Sequence, residues 1–216
     1  SAIVPNAAIT LNGGGATLAF TTALGKLSGV NAKITMSDDA SNSVTGTVAS
    51  SALTIDNSTA VVSGAGRISH LSLANGGTIN ATGNNALIIG NSDGSAMNLT
   101  NTGVLSSDAG SGGLTIGTGV VFVNAGANLI EAIGTGHSVT INTGNTDNLA
   151  GSILWANGGL ITLWDAVDAI GPSIRISGGG TFDLEHQASL VNGVTFAPQN
   201  STGFDNNSKK GTLILH

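Results

Sequence analysis

Apolar residues in this chain come in short bursts that alternate with small polar ones. In Leu71-Ser-Leu73, Leu114-Thr-Ile116 and Val139-Thr-Ile141 every second side chain is aliphatic, and the residue between is Ser or Thr. Alternation with period two marks a strand with one buried and one wet face. Such bursts fall at 9–11, 16–20, 33–36, 44–48, 53–55, 71–73, 87–89, 97–99, 114–116, 120–123, 139–141, 153–155, 160–163, 174–176, 181–184, 194–196 and 212–215. Between them stand clusters of Gly, Asn, Asp and Ser, which supply positive-φ turn positions and local side-chain hydrogen bonds.

One phrase recurs: an Asn or Gly mark, a tight bend and a new burst. It reads Leu73-Ala-Asn-Gly-Gly-Thr-Ile79, Leu99-Thr-Asn-Thr-Gly-Val-Leu105, Val123-Asn-Ala-Gly-Ala-Asn-Leu129, Trp155-Ala-Asn-Gly-Gly-Leu-Ile161 and Ile176-Ser-Gly-Gly-Gly-Thr-Phe182. Strand, bend and strand repeated along a whole chain predict a solenoid. The marks at Asn75, Asn101, Asn124 and Asn157 are 26, 23 and 33 residues apart. They predict coils of roughly 20–25 residues with one longer insertion around 131–148. At ~4.8 Å per coil, about nine or ten coils make a rod on the order of 45 Å long. The expected fold is therefore all-β, a parallel β-helix (β-solenoid) forming a single domain over 1–216. An antiparallel sandwich also offers many short strands, but it favours larger core residues and corner Tyr or Trp. The segment 160–170 could form a helix with Leu160, Leu163, Trp164, Val167 and Ile170 on one face, opposite Asp165 and Asp168. Because it follows an Asn-Gly-Gly mark, the expectation is strand and turn. Pro5, Pro172 and Pro198 mark no domain boundary, and the polar run 206–210 is expected as an exposed loop.

Composition narrows the class. Hydrophobic residues make up 40% of the 216, but aromatic residues only 3% and charged residues 8%, against 33 Gly. The surface must then be Ser, Thr, Asn and Gly, which suits narrow stacked coils. A net charge of −6 with six Lys and Arg argues against nucleic acid, whose phosphates need a cationic footprint. No basic amphipathic stretch suggests a membrane surface, and no apolar run approaches the ~20 residues of a spanning helix. Membrane insertion by this segment is not expected. Cys is absent, so neither disulfides nor thiol chemistry are expected. The chain opens Ser1-Ala-Ile without a signal-type segment, giving the expectation of a mature form or a segment of a longer secreted protein.

The C-terminal third, through 157–163, 174–184, 188–196 and Lys210-Gly-Thr-Leu-Ile-Leu215, resembles the degenerate strand repeats of large secreted bacterial surface proteins. These include autotransporter passengers and filamentous-haemagglutinin-like adhesins. The middle third resembles them more loosely and residues 1–50 weakly. The resemblance implies a right-handed parallel β-helix, secreted or displayed on the bacterial cell surface. It implies little about ligand, because such phrases encode the coil rather than a site.

Several β-helix proteins act on carbohydrate, which makes their catalytic patterns the relevant comparison. Fragments of a polygalacturonase-like pattern exist in Asn145-Thr-Asp147, Asp38-Asp39, Gly136-His137-Ser138 and 174–176, but in the wrong order and incomplete. Asp183 and Glu185 flank Leu184, so on a strand both carboxylates point outward, roughly 7 Å apart. Glycosidases set two carboxylates ~5–9.5 Å apart, which makes Asp183 and Glu185, followed by His186, the runner-up catalytic pair. A solvated polar face explains them as well. Trp155 and Trp164 are the candidate ligand-binding residues if they share an exposed face; otherwise they plug or cap the core. His70 and His137 have no partner at metal-ligand spacing, and Gly178-Gly-Gly-Thr-Phe-Asp183 lacks a Gly required by calcium-binding nonapeptides. No metal site or cofactor is expected.

The resulting reading is a structural or adhesive segment of a secreted or cell-surface bacterial protein. Its partners would be glycans, matrix or a neighbouring copy of itself. The competing class is a polysaccharide hydrolase or lyase using Asp183, Glu185 or the Asp38-Asp39 pair. A third is a passive spacer or surface-layer subunit. Single-residue loss of activity would mark the enzyme, and binding spread over many residues the adhesin.

Overall fold

A computed structural model describes residues 2–21, 25–124, 126, 128–149, 151–164, 168–170, 173–185, 189–191, 195–196 and 211–216. The fold is a parallel β-solenoid of three nine-stranded sheets, and among the described residues there is no helix. Each coil gives one strand to each sheet in turn. Sheet I stacks Ala2–Pro5, Gly25–Ser28, Ala52–Ile55, Ser72–Asn75, Met97–Asn101, Val120–Asn124, Thr146–Asn148, Asp168–Ile170 and Ser189–Val191. Sheet II runs from Ala8–Leu11 through Lys33–Met36, Val61–Gly64, Thr78–Ala81, Val104–Ser107, Leu129–Ile133, Ile153–Asn157 and Ser173–Ser177 to Thr195–Phe196. Sheet III runs from Thr17–Phe20 through Ser43–Gly46, Gly66–Ser69, Leu87–Ile89, Leu114–Ile116, Ser138–Ile141, Leu160–Trp164 and Thr181–Glu185 to Thr212–Leu215. Strand pairing is parallel throughout, which removes the sandwich.

Register explains the core. On sheet II, Ile34, Val62, Ile79, Leu105, Ile130, Leu154 and Ile174 lie one above another, and each is at most 1% exposed. Sheet III answers with Val44, Ile68, Ile89, Ile116, Ile141 and Leu163, all fully buried. Each β-branched or Leu side chain packs on a near copy of itself about 4.8 Å away, so few shapes are needed and few aromatics fit. A second inward column of sheet II is small: Gly64, Ala81, Ser107, Ala132 and Ala156. At Gly64, with φ of 120°, a Cβ would sit 1.9 Å from the Met36 carbonyl oxygen, so nothing larger than Gly fits.

The recurring Asn phrase turns out to be two different corners. Asn75, Asn101 and Asn124 end sheet I strands in register, and their buried side chains form a ladder. Asn75 Nδ2 donates to Asn101 Oδ1 at 2.7 Å, and Asn101 Nδ2 donates to Asn124 Oδ1 at 2.9 Å. The Gly two residues later lets coils nest: a Cβ on Gly103 would meet the Gly77 carbonyl oxygen at 2.1 Å. Asn157 instead ends a sheet II strand, opposite Ser177. The expected insertion around 131–148 therefore does not exist; that stretch holds the regular strands Leu129–Ile133, Ser138–Ile141 and Thr146–Asn148. Residues 160–164 are a strand, as expected, while 165–167 and the expected loop 206–210 lie outside the described residues.

Candidate functional site

Because sheet II turns its aliphatic column inward, the residues between face outward. Asn80, Ser106, Glu131, Trp155 and Arg175 thus line up on successive coils, one per rung. This strip is tied together. Asn80 Nδ2 donates to Asp108 Oδ1 at 2.8 Å, and Ser106 Oγ donates to Glu131 Oε1 at 3.3 Å. Trp155 Nε1 donates to Ser177 Oγ at 2.9 Å, which donates in turn to Asn157 Oδ1 at 3.0 Å. The indole is therefore fixed leaning toward the next coil, beside Arg175. Burial pushes the half-buried Glu131 carboxyl above its ordinary range, and Asp108 adds to the rise while the Ser106 hydroxyl opposes it. Arg175 Nε is shielded from solvent and makes no hydrogen bond among the described residues. Half-buried Val104, Leu129 and Ile153 form the neighbouring outward column. An aromatic face flanked by a carboxylate, a guanidinium and an amide is a chemistry that grips sugar rings: apolar C–H faces stack on Trp, and hydroxyls bond the polar groups.

Asp183 and Glu185 lie on sheet III. Phe182 is fully buried, so Asp183 and Glu185 face outward on the same side of the strand, as expected. The structure adds a third group, His216, which follows the strand Thr212–Leu215 paired beside them. Ligand-type atoms of Asp183, Glu185 and His216 lie within 4.8 Å of one another. A cleft of about 580 Å³ opens beside Asp183, lined among others by His137, Ser138, Leu160 and Thr181. His137 Nδ1 donates to the Ile133 carbonyl.

The other expected residues scatter. Trp155 is on sheet II and Trp164 on sheet III, so they make no joint platform. Neither plugs the core; both are half-exposed because their neighbours Leu154, Ala156 and Leu163 take the inward phase. The Asp38-Asp39 pair is consumed by turns. Asp38 Oδ1 accepts Asn85 N–H at 2.8 Å, and Asp39 Oδ1 accepts the Ser41 hydroxyl and Ser41 N–H, the latter at 2.8 Å. Those bonds hold both carboxyls below the ordinary range, the wrong direction for an acid catalyst. His70 stands exposed at a positive-φ turn, its N–H donated to Asn91 Oδ1 at 2.6 Å. His186 and the Asp147 side chain lie outside the described residues. Glu131 and His216 were not singled out by sequence, and Arg175 appeared only in the incomplete fragment 174–176, since only register brings the three to their partners. Compared with protein-family models, curated proteins and solved structures, the chain matches none.

Proposed function

We propose that this solenoid is the adhesive rod of a secreted or surface-displayed bacterial protein and that the outward strip of sheet II is its glycan-binding face. The observation that carries this reading is the column Asn80–Ser106–Glu131–Trp155–Arg175, with the indole held between a carboxylate and a guanidinium. The strip advances about 4.8 Å per coil, close to the length of one sugar ring, so a linear glycan along the rod axis would meet Glu131, Trp155 and Arg175 on successive rings, while Ser106, 3% exposed, serves to hold Glu131. Sequence suggested binding spread evenly over Thr and Asn faces; what favours this strip is that it sets one indole, Trp155, on the rung between Glu131 and Arg175. The test is retention of an acidic and neutral polysaccharide panel by the intact chain and by Trp155→Ala. Stacking on an aromatic contributes about 0.5–1.5 kcal/mol, so Trp155→Ala should weaken retention about 2- to 13-fold. Undiminished retention by Trp155→Ala would remove the strip from the binding face, and a blank panel would leave a spacer.

A second reading rests on its own observation. Oxygen atoms of Asp183 and Glu185 lie within 4.8 Å of each other beside a cleft, near the spacing of a retaining glycosidase pair. New chain ends released by the intact chain and absent with Asp183→Ala would establish a polysaccharide hydrolase.

A further inference from the structure

We infer that Asp183, Glu185 and His216 form a binding site for one divalent transition-metal ion of the Zn²⁺ class, which clips the strand Thr212–Leu215 onto Thr181–Glu185. The register sets the three side chains together. Leu184 pairs with Leu215, and His216 N–H donates to the Leu184 carbonyl at 3.2 Å, which places His216 beside Glu185. Asp183 stands two residues earlier on the same outward face.

The second, independent observation is the state of Asp183. The residue is only 9% exposed, and its Oδ1 is sealed from solvent yet accepts no hydrogen bond among the described residues. A buried carboxylate oxygen without a donor is costly and calls for a cation. The group facing it is His216 Nε2, 3.3 Å away, in an alignment that makes no hydrogen bond between them. A separation of 3.3 Å is the edge of a tetrahedron whose centre lies about 2.0–2.1 Å from each corner, the Zn–N and Zn–O bond length. A metal ion at that centre would hold both atoms as ligands. Glu185, half-buried and within 4.8 Å of both, supplies the third corner. One imidazole with two carboxylates selects a borderline transition ion over Ca²⁺ or Mg²⁺, which prefer six or more oxygens. The fourth corner is left for water from the cleft that Asp183 lines.

The inference is independent of the glycan strip, which lies on another sheet. The test is a ZnCl₂ titration of chelator-stripped protein by calorimetry, repeated with CaCl₂. The expected result is one Zn²⁺ per chain with a Kd in the micromolar range or tighter, and no comparable Ca²⁺ uptake. His216→Ala should weaken Zn²⁺ binding at least 10-fold. His216 is exposed and outside the core, so this variant keeps the coils folded, and Asp183→Asn and Glu185→Gln should follow it. Zn²⁺ should also slow amide exchange in Thr212–Leu215. A simple His216–Asp183 ion pair predicts no saturable uptake. That result, equal affinity in His216→Ala, or a preference for Ca²⁺ would overturn the site.

Discussion

The amide ladder of sheet I is the place where one substitution should report on the coupling between coils. Asn101 is fully buried at the ladder's centre, accepting from Asn75 at 2.7 Å and donating to Asn124 at 2.9 Å. Its Nδ2 also reaches the Gly103 carbonyl at 3.4 Å. Asn101→Leu keeps the volume but removes both amide–amide bonds. Asn75 Nδ2 retains the Val104 carbonyl at 3.0 Å, whereas Asn124 is left with an unpaired Oδ1 beside an Nδ2 that already has no partner among the described residues. Stranding a buried polar group costs about 1–3 kcal/mol and each lost bond about 1, so Asn101→Leu should cost about 2–4 kcal/mol.

The same column is apolar on both sides of the ladder: Leu27 and Ile55 precede Asn75, and Leu149 follows Asn124. Replacing all three Asn with Leu therefore extends an existing aliphatic stack; it strands the Gly77 N–H, which Asn75 Oδ1 accepts at 3.2 Å, and takes a side-chain donor from the Val104 and Gly103 carbonyls, but leaves no buried amide side chain unpaired. The triple variant should be more stable than Asn101→Leu alone. Urea unfolding followed by far-UV circular dichroism measures both. With m near 2–3 kcal/mol/M, Asn101→Leu should lower the midpoint by about 1 M, and the triple should recover most of it. If the triple instead loses the sum of three single substitutions, the Asn side chains act as separate turn residues and the ladder has no energetic existence.

Two further predictions concern polar groups placed against the grain. Glu131 has its pKa raised by burial, so the fold favours the neutral form; its ionisation lowers stability as pH rises through the folded value, and the penalty is absent below the unfolded value of about 4.3. Glu131→Gln should accordingly melt higher than the parent at pH 7, with the gap closing toward pH 4. The exposed Asp38, Asp39 and Asp93, whose pKa values are lowered by turn hydrogen bonds, act in the opposite sense, adding stability that is lost below about pH 4 in both proteins and so cancels in the comparison. Ser107, fully buried between Ala81 and Ala132, has a hydroxyl with no partner among the described residues. Ser107→Ala should stabilise by up to about 1 kcal/mol in the same urea assay; destabilisation would mean that the hydroxyl is bonded.

Fold was legible wherever inward and outward phases differed in polarity. Leu71-Ser-Leu73 and Val139-Thr-Ile141 announce their strands because each inward position is aliphatic. Gly66–Ser69 and Thr146–Asn148 do not, reading Gly-Arg-Ile-Ser with a single aliphatic residue and Thr-Asp-Asn with none, and they are strands because coils on both sides supply the partners. The Asn marks were legible as corners but not as two kinds of corner. An Asn-Gly pair encodes a bend, and which sheet follows depends on the count of strands before it. Counting Asn157 with the ladder Asn produced an insertion that the chain does not contain.

The candidate sites were harder to read for a reason built into solenoids. Inward columns are constrained from coil to coil, since Ile130 must pack on Leu105 and Leu154, so the core repeats itself and shows in the sequence. Outward columns carry no such requirement. Asn80, Ser106, Glu131, Trp155 and Arg175 share neither size nor charge, and the steps that align them depend on the length of each intervening turn. A one-residue change in any turn would leave the alternation within strands intact while moving the next outward residue off the column. Asp183 and Glu185 could be paired from sequence because they share a strand, whereas His216 could not, since its distance from them is set by everything between 186 and 211. Chemistry confined to one strand is therefore readable in such a chain, and chemistry assembled across rungs becomes visible only once the register is known.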